Sequence, residues 1–467
     1  MSLFRFLFQV QAMGTAFAAE RVVNFVLVLV LARGLGSEGF GLYATALSVA
    51  GLLEYLLEMG IGPVVTRRAA QDPGRVRSWL LKVVLLKGAL VVACAGIVGG
   101  TIAIWANHPD LPIASALAVG SLGLFSIGET YAAVLAGTQR FGERSAFLVA
   151  YRAANLAVIA ALLAAGVSSV PVLLFGSIAV GILYAAGMGI RVRRYTRADP
   201  EAEPTDGLGQ VLREGVPFAV GNVLGAVPLN LPTVAVSLGM GLSAAGEFQA
   251  ASKLFLALGV IPGAVGAVAF PHMAAKVGPS PSEAWRRFHQ GNGLLLLVGI
   301  WAGLVLAVLS GPLVGLLFGD GYRGAGPVLM ILAAGSPAFF LNHTASQALG
   351  AVGRQGNAVL AQAAGAGTVI VGVLLAYSAV GLAMALVAAE VVRYFTFSAF
   401  VRAEAGRWMP ADWWMGPAAV IPGTIAVSIF GWTPWGALAA SVPFAAAVVH
   451  FSRKNLIARL GPIREIF

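Results

Sequence analysis

Fourteen apolar stretches separated by short polar gaps run the length of the chain. A helix needs about 20 apolar residues to cross roughly 30 Å of hydrocarbon. In lipid the backbone must satisfy its own hydrogen bonds, so each stretch is predicted to be a helix. The predicted spans are 11–32, 40–65, 80–105, 112–137, 145–166, 169–190, 211–237, 245–271, 290–318, 326–350, 356–377, 380–401, 412–430 and 433–451. Positive charge gathers in every second gap. One set of gaps and tails holds Arg5; Arg67, Arg68, Arg75 and Arg77; Arg140 and Arg144; Arg191, Arg193, Arg194 and Arg197; Lys276, Arg286 and Arg287; Arg354; Arg402 and Arg407; and Arg453, Lys454, Arg459 and Arg464. The opposite set holds only Arg33 and Arg323. The positive-inside rule puts the rich set, with both termini, in the cytoplasm. Ends on one side require an even number of spans, which fourteen satisfies. The expected location is therefore the cell (inner) membrane, crossed many times.

Composition agrees and narrows the class. The 467 residues are 58% hydrophobic and 11% charged, which excludes an ordinary soluble domain. The net charge of +10 does not point to nucleic acid, because its arginines sit in loops where they set topology and meet lipid headgroups. The opening MSLFRFLFQVQAMG lacks a small-residue cleavage pattern, so the first stretch is expected to be a retained helix. A single cysteine, Cys94, rules out an intramolecular disulfide. Residues 34–39, GLGSEG, fit G-x-G-x-x-G, but no strand precedes them, so a dinucleotide site is excluded. Asn342-His343-Thr344 fits a glycosylation acceptor but falls inside a predicted span. The five histidines lack metal-ligand spacing, and no Walker motif or nucleophile arrangement occurs. No enzyme activity, cofactor or metal is expected. Energy would come from an ion gradient, the membrane potential or the substrate gradient.

A weak repeat appears at an offset of 205 residues. Residues 34–46 read GLGSEGFGLYATA and residues 239–251 read GMGLSAAGEFQAA. Gly34, Gly36 and Gly41 fall on Gly239, Gly241 and Gly246, Tyr43 on Phe248 and Ala46 on Ala251. Ala69-Ala70 falls on Ala274-Ala275. Both copies start from the same side of the membrane, as in a parallel repeat about an axis along the membrane normal. The expected architecture is an all-α polytopic membrane protein with two pseudo-symmetric six-helix lobes around a central cavity, followed by two C-terminal helices. Its parts are a first lobe at 1–195, an acidic cytoplasmic linker at 196–207, a second lobe at 208–402, and the last two helices and tail at 403–467. Such a plan suits a transporter that rocks between inward- and outward-open states, as a monomer.

Charges inside the spans are the candidate chemistry, since a charge at mid-membrane costs about 2.5–3.5 kcal/mol on insertion scales. The basic ones are Arg21, Lys87, Arg152, Lys253 and Arg393, and the acidic ones Glu20, Glu54, Glu58, Glu129 and Glu390. Arg21 lies in the cytoplasmic half of the first span, with Asn24 on the same face. Glu54 and Glu58 share a face of the second span at similar depth. These residues read either as a polar cluster lining an inner cavity or as an Arg–Glu lock between two helices. Lys253 has no acidic residue within one turn, as suits a cation facing the cavity. Glu129 with Arg152, and Glu390 with Arg393, are expected to pair. Lys87 is expected to snorkel to the headgroups. Arg21 and Lys253 tilt the balance toward an anionic substrate.

The segment Asn24–Arg68 reads NFVLVLVLARGLGSEGFGLYATALSVAGLLEYLLEMGIGPVVTRR. Through Ala32-Arg33, Leu35-Gly36, Phe40-Gly41, Tyr43 and Met59-Gly60-Ile61 it resembles the opening of the polysaccharide (O-antigen type) flippases. That family shares a superfamily with multidrug exporters and lipid II flippases. The resemblance implies a flippase that carries polyprenyl-pyrophosphate-linked oligosaccharide from the cytoplasmic to the outer leaflet, for cell-surface polysaccharide assembly. Its diphosphate would meet Arg21, with Lys253 second. Asn24, Glu54 and Glu58 would complete the substrate site, and the glutamates could carry a coupling proton or sodium ion. Membrane lipids are the other expected partners. A cation-coupled multidrug exporter of the same superfamily is the alternative, and it would need a dominant acidic site.

Overall fold

A computed structural model describes residues 3–106, 108–196, 208–266, 273, 281–406 and 409. The described residues form fourteen α-helices and no strand. They are α1 (Leu3–Glu58), α2 (Ile61–Gln71), α3 (Pro73–Trp105), α4 (Leu111–Gly137), α5 (Phe141–Ala164), α6 (Val170–Arg193), α7 (Leu208–Met240), α8 (Leu242–Ala257), α9 (Pro281–Val308), α10 (Ser310–Phe318), α11 (Ala325–Ala334), α12 (Ser336–Ala351), α13 (Gln355–Leu375) and α14 (Ala379–Ala405). The first twelve predicted spans fall on helical residues as far as they are described, and residues 267–271 of the eighth lie outside the described residues. The last two, and linker residues 197–207, lie outside the described residues.

Among the described residues ten helical stretches can cross a membrane by length and composition, or up to eleven if α11 and α12, bent by 54°, form one broken span. The stretch that opens the chain holds two predicted spans, because α1 breaks at Gly36 (φ 68°, ψ −179°). Only glycine takes that conformation without strain. Gly241 (φ 91°) makes the equivalent break between α7 and α8, at the repeat's offset of 205 residues. The second predicted span breaks again at Met59 and Gly60, both with positive φ, before α2 resumes it.

The chain forms two compact units, Met1–Gly246 and Glu247–Phe467. In the first, α4 is the central helix, packed against α1, α2, α3 and α6. Its apolar core joins Val64, Val65, Trp79, Val83, Leu135 and Tyr184. In the second, Leu296, Phe340, Leu341, Tyr394 and Phe397 hold α9, α12 and α14 together.

Helix α7, expected from sequence to open the second lobe, packs along α1 and α2 within the first unit. Just past its end, at the start of α8, Gly41 lies against the carbonyl of Leu242, and Gly246 lies against the carbonyl of Ser37. The contact is reciprocal, since each partner is the other's equivalent at the 205-residue offset. The hydroxyls of Ser37 and Ser243 hydrogen-bond beside it at 2.9 Å. At the other, arginine-rich end, Gly60 faces the carbonyl of Gly215 and Gly215 faces that of Met59. There Glu214 accepts hydrogen bonds from Arg67 and, at 2.8 Å, from Arg68.

Candidate functional site

The interior of the first unit is charged. Ser126, Glu129 and Thr130 stand three and four residues apart, hence on one face of α4. The Glu129 carboxylate accepts from Tyr184 Oη at 2.6 Å and from Arg144 Nη2 at 3.0 Å. Arg152 Nε donates to Glu20 Oε1 at 3.2 Å. Its guanidinium lies 4.8 Å from the Phe125 ring centroid and 5.4 Å from that of Tyr151. Phe125, Tyr151 and Tyr184 stack with centroids 4.8–5.8 Å apart, so the cation rests on an aromatic bed. The expected Glu129–Arg152 pair is therefore corrected. Each has a different partner, because Glu20 of α1 and Arg144 of α5 reach these groups.

Lys87 corrects a second expectation. It does not snorkel, and is 1% exposed. Its Nζ donates to Thr130 Oγ1 at 2.8 Å, Ser126 Oγ at 3.1 Å and the Ser126 carbonyl at 3.4 Å. Glu58 and Glu129 act on it electrostatically from beyond contact distance. The sequence signal was present in the serine and threonine spaced four apart on α4, but only the fold aligns them with α3.

Glu54 and Glu58 are half-buried and stand four residues apart on α1. They share this interior with Arg152, Lys87 and Glu129. Neither glutamate holds an ion pair among the described residues, so neither forms a lock with Arg21. Arg21 and Asn24 are both exposed on α1. In the second unit Lys253 is half-buried on α8, with no hydrogen bond or ion pair among the described residues.

Glu390 and Arg393 pair at 2.6 Å, as expected from their spacing. Asn342 Nδ2 donates to the Glu390 carboxylate and to its carbonyl, each at 2.8 Å. Asn342 is fully buried, so its acceptor-like sequon sits in the packed interior. This network ties α12 to α14 and reads as structural. No group of three potential metal ligands occurs among the described residues.

Comparison with known proteins adds the family. A family model described as polysaccharide biosynthesis protein matches residues 10–276. A Shigella flexneri protein named for O-antigen transport is 26% identical over 349 residues, covering 68% of this chain and 79% of its own. The lipid II flippase MurJ, in an inward closed conformation, is similar with a TM-score of 0.71 at 13% identity, over 94% of this chain and 97% of its own. An inward-facing multidrug resistance transporter of the MATE family gives 0.65 at 14% identity, over 83% and 94%. At such identities these two likenesses establish a shared fold. The family match covers more than half of the sequence, and this multi-pass membrane chain belongs to the polysaccharide biosynthesis protein family.

Proposed function

We propose that the protein is a flippase that moves polyprenyl-pyrophosphate-linked oligosaccharide from the cytoplasmic to the outer leaflet by alternating access. The observation that carries this reading is the uneven treatment of charge. Two carboxylates of the first unit, Glu20 and Glu129, are engaged by its own arginines, whereas Lys253 has no partner among the described residues and Arg21 is exposed on α1. An exposed guanidinium and an unpaired ammonium suit a diphosphate, which such groups bind through short, charge-assisted hydrogen bonds. An exporter of organic cations would present its carboxylates instead. Arg21 is the first diphosphate contact, Lys253 the second, and Asn24 a polar neighbour for the sugar. The protein works as a monomer with both termini in the cytoplasm, and its lobes are 1–195 and 208–402.

Glu54 and Glu58 carry the coupling ion. Four interior carboxylates, Glu20, Glu54, Glu58 and Glu129, meet three cations, Lys87, Arg144 and Arg152. A charge left over in a dry interior is costly, so a proton or sodium ion has a reason to enter.

The test is translocation in proteoliposomes. A polyprenyl-pyrophosphate saccharide is supplied, and its leaflet exposure is followed with a membrane-impermeant lectin. Arg21→Ala is expected to abolish movement while leaving the protein folded and inserted. Normal movement in that variant overturns the assignment of Arg21. No movement in the wild type, together with counterflow of an organic cation against protons or sodium, makes the protein a drug exporter.

A further inference from the structure

We infer that Ser126 and Thr130 of α4 form a binding nest for a small monovalent cation, which the chain fills with its own Lys87 ammonium. The geometry carries the inference. An ammonium has three N–H donors and no acceptor. Three oxygens receive them at 2.8, 3.1 and 3.4 Å, namely Thr130 Oγ1, Ser126 Oγ and the Ser126 carbonyl. The carbonyl is held in place by a further bond from Thr130 Oγ1 at 2.9 Å. All three acceptors around the cation are oxygen, the ligand type of hard cations. Ser126, Thr130 and Lys87 are each at least nine-tenths buried. Glu58 from α1 and Glu129 from α4 supply negative potential without touching the ammonium. Of the other charged groups nearby, Arg144 is engaged with Glu129 and Arg152 with Glu20. The nest and its field are thus those of a cation site, and the occupant is covalently tethered.

An alternative account makes Lys87 an ordinary buried cation that packing happens to tolerate. The two accounts diverge once the tether is cut. Lys87→Ala removes the charge and opens a space shaped like propylammonium, while all three oxygens and both carboxylates remain. If the nest is a cation site, a free cation takes the vacant place. If Lys87 only fills space, no cation restores the lost stability or movement.

The experiment compares purified wild type and Lys87→Ala in choline, sodium and propylammonium chloride at equal ionic strength. Thermal unfolding and saccharide translocation are both read. Lys87→Ala is expected to lose translocation in choline, by about tenfold or more. Sodium or propylammonium is expected to raise its Tm saturably, as ligand linkage requires, and to restore part of the movement. The wild-type Tm should be the same in propylammonium as in choline. The inference fails if neither cation shifts the Tm of Lys87→Ala beyond choline, if Lys87→Ala is fully active in choline, or if the wild type responds to propylammonium as strongly as the variant does. Should Lys87→Ala not fold, Lys87→Ala/Glu58→Gln removes a carboxylate with the ammonium and keeps the nest. That variant must show the larger propylammonium shift relative to wild type, or the inference fails. The cation nest rests on the proposed coupling role of the interior, but the unfolding readout needs no saccharide. A cation-responsive Tm without translocation would sink the flippase reading alone.

Discussion

At the residue scale, the question for each charge is whether it serves the protein's own packing or a ligand. Glu390 and Arg393 serve packing: each side chain is only 14% exposed, and Asn342 completes the carboxylate's bonding. Removing one partner of such a pair leaves the other uncompensated, which costs about 3–5 kcal/mol when burial is complete. Glu390→Gln is therefore expected to lower Tm measurably, while the folded fraction keeps its transport rate and saccharide preference. A preserved Tm with lost transport would move this pair into the working machinery. Arg21, exposed on α1, and Lys253 are proposed to meet the ligand. Lys253→Ala should weaken translocation less than Arg21→Ala, with little change in Tm for either. A more severe Lys253 variant would place the diphosphate on α8. The sequence exposed all ten of these charged positions, because an ionisable residue stands out in an apolar run. It misassigned Glu129, Arg152 and Lys87, because pairing depends on which helix faces lie opposite, and depth along a span does not fix helix rotation.

At the scale of elements, glycines set how closely helices approach. Gly41 and Gly246 bring two backbones together with no side chain between them. A Cβ at either position meets a carbonyl oxygen that cannot step aside, so the helices must separate. Overpacking of this kind costs about 1–3 kcal/mol. Gly41→Ala and Gly246→Ala should each lower Tm, and the double variant should cost less than the sum, since the first substitution has already opened the crossing. Additive losses, measured by thermal unfolding in one detergent, would show two independent contacts. The repeat that contains these glycines was legible in the sequence, including the Gly36 and Gly241 breaks that the structure gives positive φ. The breaks at Met59-Gly60 and between α11 and α12 were not. Each lies within a continuous apolar run, and hydrophobicity does not register a kink whose ends stay apolar on both sides.

At the scale of the molecule, spans and family agree, and the remaining surprise is the allegiance of α7. From charge patterning and the repeat, residue 208 is expected to start the second copy, and nothing local to the sequence joins α7 to the first. The structure nevertheless packs it against α1 and α2, with the glycine contact of Gly215 at one end and Glu214 held by Arg67 and Arg68. In the language of domain swapping, α7 is a donated element: covalently it leads one copy, while its packing belongs to the other. Its grip on α1 and α2 does not depend on the peptide bonds of residues 196–207. Two separately expressed chains, cut within that acidic stretch, should accordingly find each other in the membrane, co-purify through α7 and recover transport. Fragments that each fold but never associate would mean that the connection itself holds α7 in place. If they do associate, the linker serves delivery rather than cohesion, and insertions there should be among the best tolerated in the chain.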